Sequence, residues 1–188
     1  MSSKEVEPNG GSDSSREIVG SDDAFTITRV FDAPRDLVWR AWTDEKHLQQ
    51  WFGPAGMERL RFENDFRVGG MLHYALRLPD GNEMWGKWVY REIVPPERLT
   101  LVASFSDAEG GVTRHPWAPT WPAETLSTIT FNEHEPGRTT VTLIAIPINE
   151  SQEERDTFVL GRSSMLQGWG GTLDQLQTFL GKQNGAQQ

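Results

Sequence analysis

Between Ala24 and Gly56 the chain reads AFTITRVFDAPRDLVWRAWTDEKHLQQWFGPAG, an order of signals that few folds accommodate. Phe25, Ile27 and Phe31 alternate with Thr26, Thr28 and Val30, the period-two pattern of a half-buried strand. Asp32-Ala33-Pro34 ends it. Proline has a preset φ and no N–H to lose, so Pro34 is expected at the first helical position. Asp32 and Asp36 place negative charge at the positive end of that helix. Val38, Ala41 and Trp42 make its apolar face at helical spacing. Thr43 is expected to cap a second helix, with Asp44 and Glu45 in its first turn and Leu48 and Trp51 on its face. Gly53-Pro54 stops it.

The rest of the chain turns to strands. Segments 57–65, 71–78, 83–94, 99–105, 124–131 and 139–146 carry the strand signals. Pro79-Asp80-Gly81-Asn82 joins one hairpin and Glu135-Pro136-Gly137 another. Between them the segment 106–123 holds His115-Pro116-Trp117-Ala118-Pro119-Thr120-Trp121-Pro122. A loop this long is usually functional or disordered. Its two Trp and three Pro favour an ordered flap packed by its own aromatics. A single long helix is expected from Ser151 to Leu180, started by a Ser151/Glu154 capping box. Phe158, Met165, Trp169, Thr172, Leu176 and Phe179 form its stripe. Gly168, Gly170 and Gly171 each cost about 1 kcal/mol against alanine in mid-helix, so close approach to a sheet or a ligand is expected to offset them. The order β–α–α, six strands, long helix is an α+β layout, a curved antiparallel sheet around a C-terminal helix.

Composition sets limits. With 188 residues the chain fits one domain, taken as 23–181, between an N-terminal tail (1–22, polar and expected to be disordered) and a C-terminal tail (182–188). No cysteine is present, which removes disulfides, thiolate metal sites and a Cys nucleophile together. A net charge of -9 argues against nucleic acid and anionic membranes as partners. Neither a signal peptide nor an apolar span is legible, so a cytoplasmic protein is expected.

The same stretch, ITRVFDAPRDLVWRAWTDEKHLQQWFGPAG, resembles the opening of the START-like (SRPBCC) superfamily in its Hsp90-ATPase-activator-homologue branch. The likeness continues through FRVGG, PDGNEMWGKWVYREIVPPERL and SMLQGWGGTLDQLQTFL, from about Ala24 to Leu180. It implies a START/Bet v 1-like helix-grip fold, with a cavity between sheet and long helix for a hydrophobic, lipid- or polyketide-like small molecule. Some members of the superfamily are cyclases or hydrolases. The branch takes its name from a co-chaperone, but the likeness covers only that protein's C-terminal type of domain, so chaperone activation is not carried over. A protein-interaction module remains an alternative reading, and a homodimer is left open.

Motifs for catalysis are missing. Gly161-Arg162-Ser163-Ser164-Met165 lacks the second glycine of a nucleophile elbow. Gly168-Trp169-Gly170-Gly171 fails the dinucleotide fingerprint at Leu173. His47, His73, His115 and His134 have no ligand spacing. No catalytic residue, metal or cofactor is therefore assigned. The cavity candidates are His73, Tyr74, Glu83, Trp85, Trp88, His115, Trp117, Trp121, Glu124, Phe158, Arg162, Met165 and Trp169. Trp39, Trp42 and Trp51 are assigned to core packing. Trp85 and Trp88, three apart on one strand, must face opposite sides of the sheet, and the sequence does not say which looks inward. Trp169 either lines a pocket or fills it. Arg162 is expected to snorkel to water or pair with a surface carboxylate. An acid–base enzyme would need at least two of His73, Glu83, His115, Glu124 and Arg162 to meet in one pocket.

Overall fold

A computed structural model describes residues 23–185 of the chain. The expected N-terminal tail, 1–22, and residues 186–188 lie outside the described residues. The alternating segment forms β1 (Phe25–Phe31), with Phe25, Ile27 and Phe31 buried. It is followed by α1 (Arg35–Thr43) and α2 (Glu45–Trp51). Then come β2 (Glu58–Asn64), β3 (Met71–Arg77), β4 (Glu83–Val94), β5 (Arg98–Ser106), β6 (Val112–Thr113), β7 (Glu124–Glu135) and β8 (Arg138–Ile148). Two helices, α3 (Gln152–Leu160) and α4 (Arg162–Gly185), complete the chain.

All eight strands join one antiparallel sheet in the order β1-β8-β7-β5-β4-β3-β2, with β6 paired to β5 off this path. From β2 onward consecutive strands pair with their neighbours except where the flap intervenes, while β1, separated from β2 by the helix pair, lies at the other end of the order and pairs with β8 (Phe25 opposite Ala145, Phe31 opposite Thr139). Register shifts at Arg59/Arg61, Tyr90/Glu92 and Glu133/Glu135 mark irregularities in three strands. An extra residue of this kind bends a strand and raises its twist, which helps the sheet wrap around helices. The architecture is α+β with a long C-terminal helix, a helix-grip arrangement.

The concave face carries the core. Leu72, Trp88, Tyr90, Leu99, Leu101, Ile129, Phe131, Val141 and Leu143 meet Leu37, Val38 and Trp42 of α1, Leu48 and Trp51 of α2, and Leu173, Leu176 and Phe179 of α4. Trp42 is central. Its ring stacks near-parallel to Trp88 at 6.3 Å and to Trp169 at 6.2 Å, and meets Trp51 edge-on at 4.9 Å. Trp51 donates its indole N–H to the Ala41 carbonyl at 2.9 Å, pinning α2 to α1. Arg29 of β1 pairs with Asp174 of α4 at 2.7 Å, and Gln175 donates to the Gly53 carbonyl, so the long helix is tied to β1 and to the Gly53-Pro54 corner.

Several local expectations are corrected. Pro34 is the N-cap of α1, not its first helical residue: its ψ of 145° is extended, and its carbonyl accepts from the Leu37 and Val38 N–H groups. Thr43 ends α1, and its hydroxyl donates to the Trp39 carbonyl at 2.9 Å. Asp44 caps α2 instead, accepting from the His47 N–H at 3.1 Å. The helices share this one residue as terminus, and a carboxylate satisfies an N-terminal N–H more strongly than a hydroxyl does. There are seven strands after the helix pair, because β6 forms inside the expected loop. The single long helix is two, broken at Gly161, and the second runs past Leu180 to Gly185. The expected Ser151/Glu154 capping box is present. Gly168, Gly170 and Gly171 meet no close neighbour, so the close approach to the sheet expected for them is not found.

Replacement of the fully buried Trp51 by alanine removes both its ring and its hydrogen bond. Trp51→Ala should lower stability by about 3–5 kcal/mol, read as a fall in the urea midpoint at unchanged slope.

Candidate functional site

Three adjoining spaces lie on the concave side. An inner cavity of about 190 Å³ sits between the sheet and the helices, walled by Trp42, Trp88, Leu101, Trp121, Phe158 and Trp169 and floored by Thr125, Ser127 and Ile129 of β7. An outer groove of about 330 Å³ runs between β3, β4 and α4, bordered by Phe52, Tyr74, Met84, Phe105, Gly168 and Trp169. Met165 and Trp169 border both. A side pocket of about 110 Å³ adjoins them, with Tyr74, Phe105, Trp121 and Thr125 on its walls. Trp169 is half-buried and forms the partition between cavity and groove, so it lines space on two sides and also packs on Trp42.

The alternation of β-strand side chains explains which residues arrive here. On β4, Trp88 is buried and faces the cavity. Trp85 lies on the other face, against His73 at 5.4 Å, with its indole N–H donated to Glu83 at 3.2 Å. On β3, Tyr74 faces the groove, while His73 is buried on the outer face. His73 Nε2 is 3.1 Å from the Ser106 hydroxyl and 3.1 Å from the Asp107 carbonyl. A carbonyl oxygen only accepts, so Nε2 carries a hydrogen there, and the ring is not placed to take a proton from Ser106. Glu83 pairs with Arg77 at 3.7 Å at the exposed end of β4. Glu124 alternates with the cavity-facing Thr125 and lies on the outer side of β7. Arg162 is half-buried at the start of α4. Of the sequence candidates, Tyr74, Trp88, Trp121, Phe158, Met165 and Trp169 border the three spaces. His73, Glu83, Trp85, His115, Trp117, Glu124 and Arg162 do not.

The flap is docked on α3. Arg114 pairs with the nearly buried Glu154, whose other oxygen accepts from the Ser151 N–H at 2.7 Å. Thr120 and Thr157 share a hydroxyl–hydroxyl bond of 3.1 Å. The Trp121 ring lies 5.6 Å from Phe158 and directly over Gly161, where an added Cβ would meet it at 2.5 Å. Gly161 therefore both breaks the helix and makes room for the indole that closes one side of the cavity. His115 packs at 4.6 Å on Phe105 and at 6.2 Å on Trp121, and its Nδ1 accepts the Trp117 N–H at 3.1 Å. Burial pushes the His115 pKa down, in keeping with an acceptor Nδ1. Trp117 itself is 54% exposed and stands outside.

Sequence reasoning missed Phe105, Thr125 and Ser127, and took Trp42 for packing alone. Thr125 and Ser127 had a readable signal: two hydroxyls on the inward parity of a strand whose neighbours, Ile129 and Phe131, are core. Nothing local marked Phe105, which reaches the groove through the pairing of β5 with β4.

An open antiparallel sheet that grips a long C-terminal helix defines the class, a helix-grip domain. The chain belongs to the family described as Activator of Hsp90 ATPase homolog 1-like protein, whose match spans residues 32–181. Among solved structures it is similar to a protein from Arthrobacter aurescens (28% identity, 85% of this chain and 86% of that one, TM-score 0.69). It is also similar to protein Ms6760 from Mycobacterium smegmatis (25% identity, 84% and 90%, TM-score 0.68). A third, from Staphylococcus epidermidis, is 24% identical over 89% and 94% with a TM-score of 0.67 and shows the fold alone. A search of curated proteins gives no match. Among the described residues, no helix is long and apolar enough to cross a membrane.

Two outcomes follow for the flap. The neutral His115 belongs to the docked form, because its pKa lies below the ordinary 6.5. An undocked flap takes up the proton first, so docking is fully favoured above pH 6.5 and weakens as pH falls below it. Protection factors across 114–121, with the intrinsic pH dependence of amide exchange divided out, should fall on acidification, and His115→Gln should flatten that dependence. Gly161→Ala should displace Trp121 at a cost of about 1–3 kcal/mol, seen as faster exchange in the same segment and a lower thermal midpoint.

Proposed function

We propose that this protein binds a small hydrophobic or aromatic molecule, lipid- or polyketide-like in character, between the sheet and α4. The observation that carries the reading is the inner cavity of about 190 Å³, adjoined across Trp169 by a groove of about 330 Å³. Apolar pockets lined by aromatic side chains with a few polar groups are what small-molecule sites look like. An apolar cavity of about 150 Å³ accommodates benzene, so the inner space is sized for one ring and the groove for the remainder of a larger ligand. The wall composition favours a binder over an acid–base enzyme, since no Asp, Glu, His, Lys or Arg borders the three spaces. The absence of cysteine accords with a reducing, cytoplasmic setting for such a carrier.

Native mass spectrometry of protein purified from its own host should show a non-covalent adduct of an apolar small molecule. Ala103, on the walls of both inner cavity and side pocket, offers a way to fill the space. Ala103→Leu should abolish the adduct while the thermal midpoint stays within a few degrees of the parent or rises. A bare protein in both cases, with tryptophan fluorescence indifferent to aromatic probes, would rule the reading out.

A further inference from the structure

The polar groups on these walls are all neutral, and several lack partners among the described residues, the Ser104 hydroxyl and the Trp42 indole N–H included. The Tyr74 hydroxyl makes no hydrogen bond with any described residue, and neither do the hydroxyls of Thr125 and Ser127. Tyr74 lies across Gly86, where an added Cβ would run into its phenol oxygen. The missing side chain at 86 lets the ring lie flat over β4, with Phe52 at 5.0 Å on its edge. Its own ring thus reaches the boundary shared by side pocket and groove. Thr125 stands on the boundary shared by side pocket and inner cavity, and Ser127 further in. These three hydroxyls therefore step inward from groove to cavity, along walls that are otherwise mainly apolar, with Ser104 in the side pocket and Thr172 in the groove as the further hydroxyls. Tyr74 is half-buried, and with no partner among the described residues its phenol bonds to whatever fills the space beside it, water or ligand.

We propose that the site selects a neutral ligand carrying a carbonyl or hydroxyl oxygen on an aromatic ring system, with Tyr74 donating to that oxygen, and that it rejects carboxylates and phosphates. The inference rests on the binding reading above and adds to it the charge and the polar handle of the ligand. An anion would enter a space with no cation on its walls, in a chain of net charge -9. Desolvation without a counter-charge disfavours it strongly. A neutral oxygen loses little on entry provided that a donor waits for it. Burial also pushes the Tyr74 pKa up to about 12, so the phenol remains a donor throughout the physiological range. The near-parallel Trp88, Trp42 and Trp169 rings supply stacking faces for the apolar part.

Three probes of one shape separate these terms: 1-acetylnaphthalene, 1-isopropylnaphthalene and 1-naphthoate. Each is measured by equilibrium dialysis against the parent protein and against Tyr74→Phe, which deletes only an unpartnered hydroxyl and leaves the ring packing in place. The ketone should lose about 3–10-fold in affinity on Tyr74→Phe, while the hydrocarbon is unchanged. Naphthoate should bind at least about tenfold more weakly than the ketone to the parent protein. Equal effects of Tyr74→Phe on ketone and hydrocarbon, or naphthoate binding as tightly as the ketone, would overturn the proposal while leaving a binding site in place. Failure of all three probes to bind the parent protein would remove the binding reading, and this inference with it.

Discussion

The packing of Trp42 is the contact on which the rest of the structure depends. Its ring is fully buried and touches α2 through Trp51, the sheet through Trp88 and Phe131, and α4 through Trp169. Aromatic rings at these separations add stabilisation beyond the area they bury. One side chain thus fixes the helix pair, the concave face and the long helix relative to one another. Its indole N–H finds no acceptor among the described residues. That costs about 1–3 kcal/mol, which the burial of so large a ring offsets. Because Trp42, Trp88 and Trp169 also wall the inner cavity, core and site are one body here. The cavity keeps its shape for the same reason that the domain stays folded.

The second constraint is the absence of a side chain at two positions. Gly161 lets Trp121 come down onto the α3–α4 break, and Gly86 lets Tyr74 lie across β4. In each case an aromatic ring occupies the volume that a Cβ would take, and each ring forms a wall of the site. The flap is held by an ion pair, a hydroxyl pair and aromatic packing to α3, and by the edge of β5 through β6. Apart from Trp121 on Phe158, these are polar or small contacts. The flap is accordingly the part of the cavity wall most open to change with pH.

Membership of the family and likeness to solved helix-grip structures establish the framework and leave the chemistry to this chain's own residues. Those residues make a mainly apolar space with no Asp, Glu, His, Lys or Arg on its walls. The groups that a sequence reader reaches for first, His73, Glu83 and Glu124, are used elsewhere: a histidine bonded to Ser106 and the Asp107 carbonyl, an ion pair with Arg77, an outward-facing carboxylate. What remains inside is hydroxyl and indole chemistry.

By itself the sequence determined the element types, the two hairpins, the capping box at Ser151 and the family, because each depends on local pattern: period-two alternation, Pro and Gly punctuation, a Ser and a Glu three apart. It also required Trp85 and Trp88 to face opposite ways. Which of them faces inward was decided only when β4 paired with β3 and β5, since a one-residue slip would have exchanged them. Asp44 rather than Thr43 as the cap, and the break at Gly161, were likewise settled by neighbours. The helix pair had to share a terminus, and Trp121, forty residues away in the flap, needed the space over the glycine. The meeting of Tyr74, Thr125 and Ser127 along one cavity is tertiary in the same sense. No periodicity links residues on strands that become neighbours only through the sheet order, and their hydroxyls gain meaning only once no partner is found beside them.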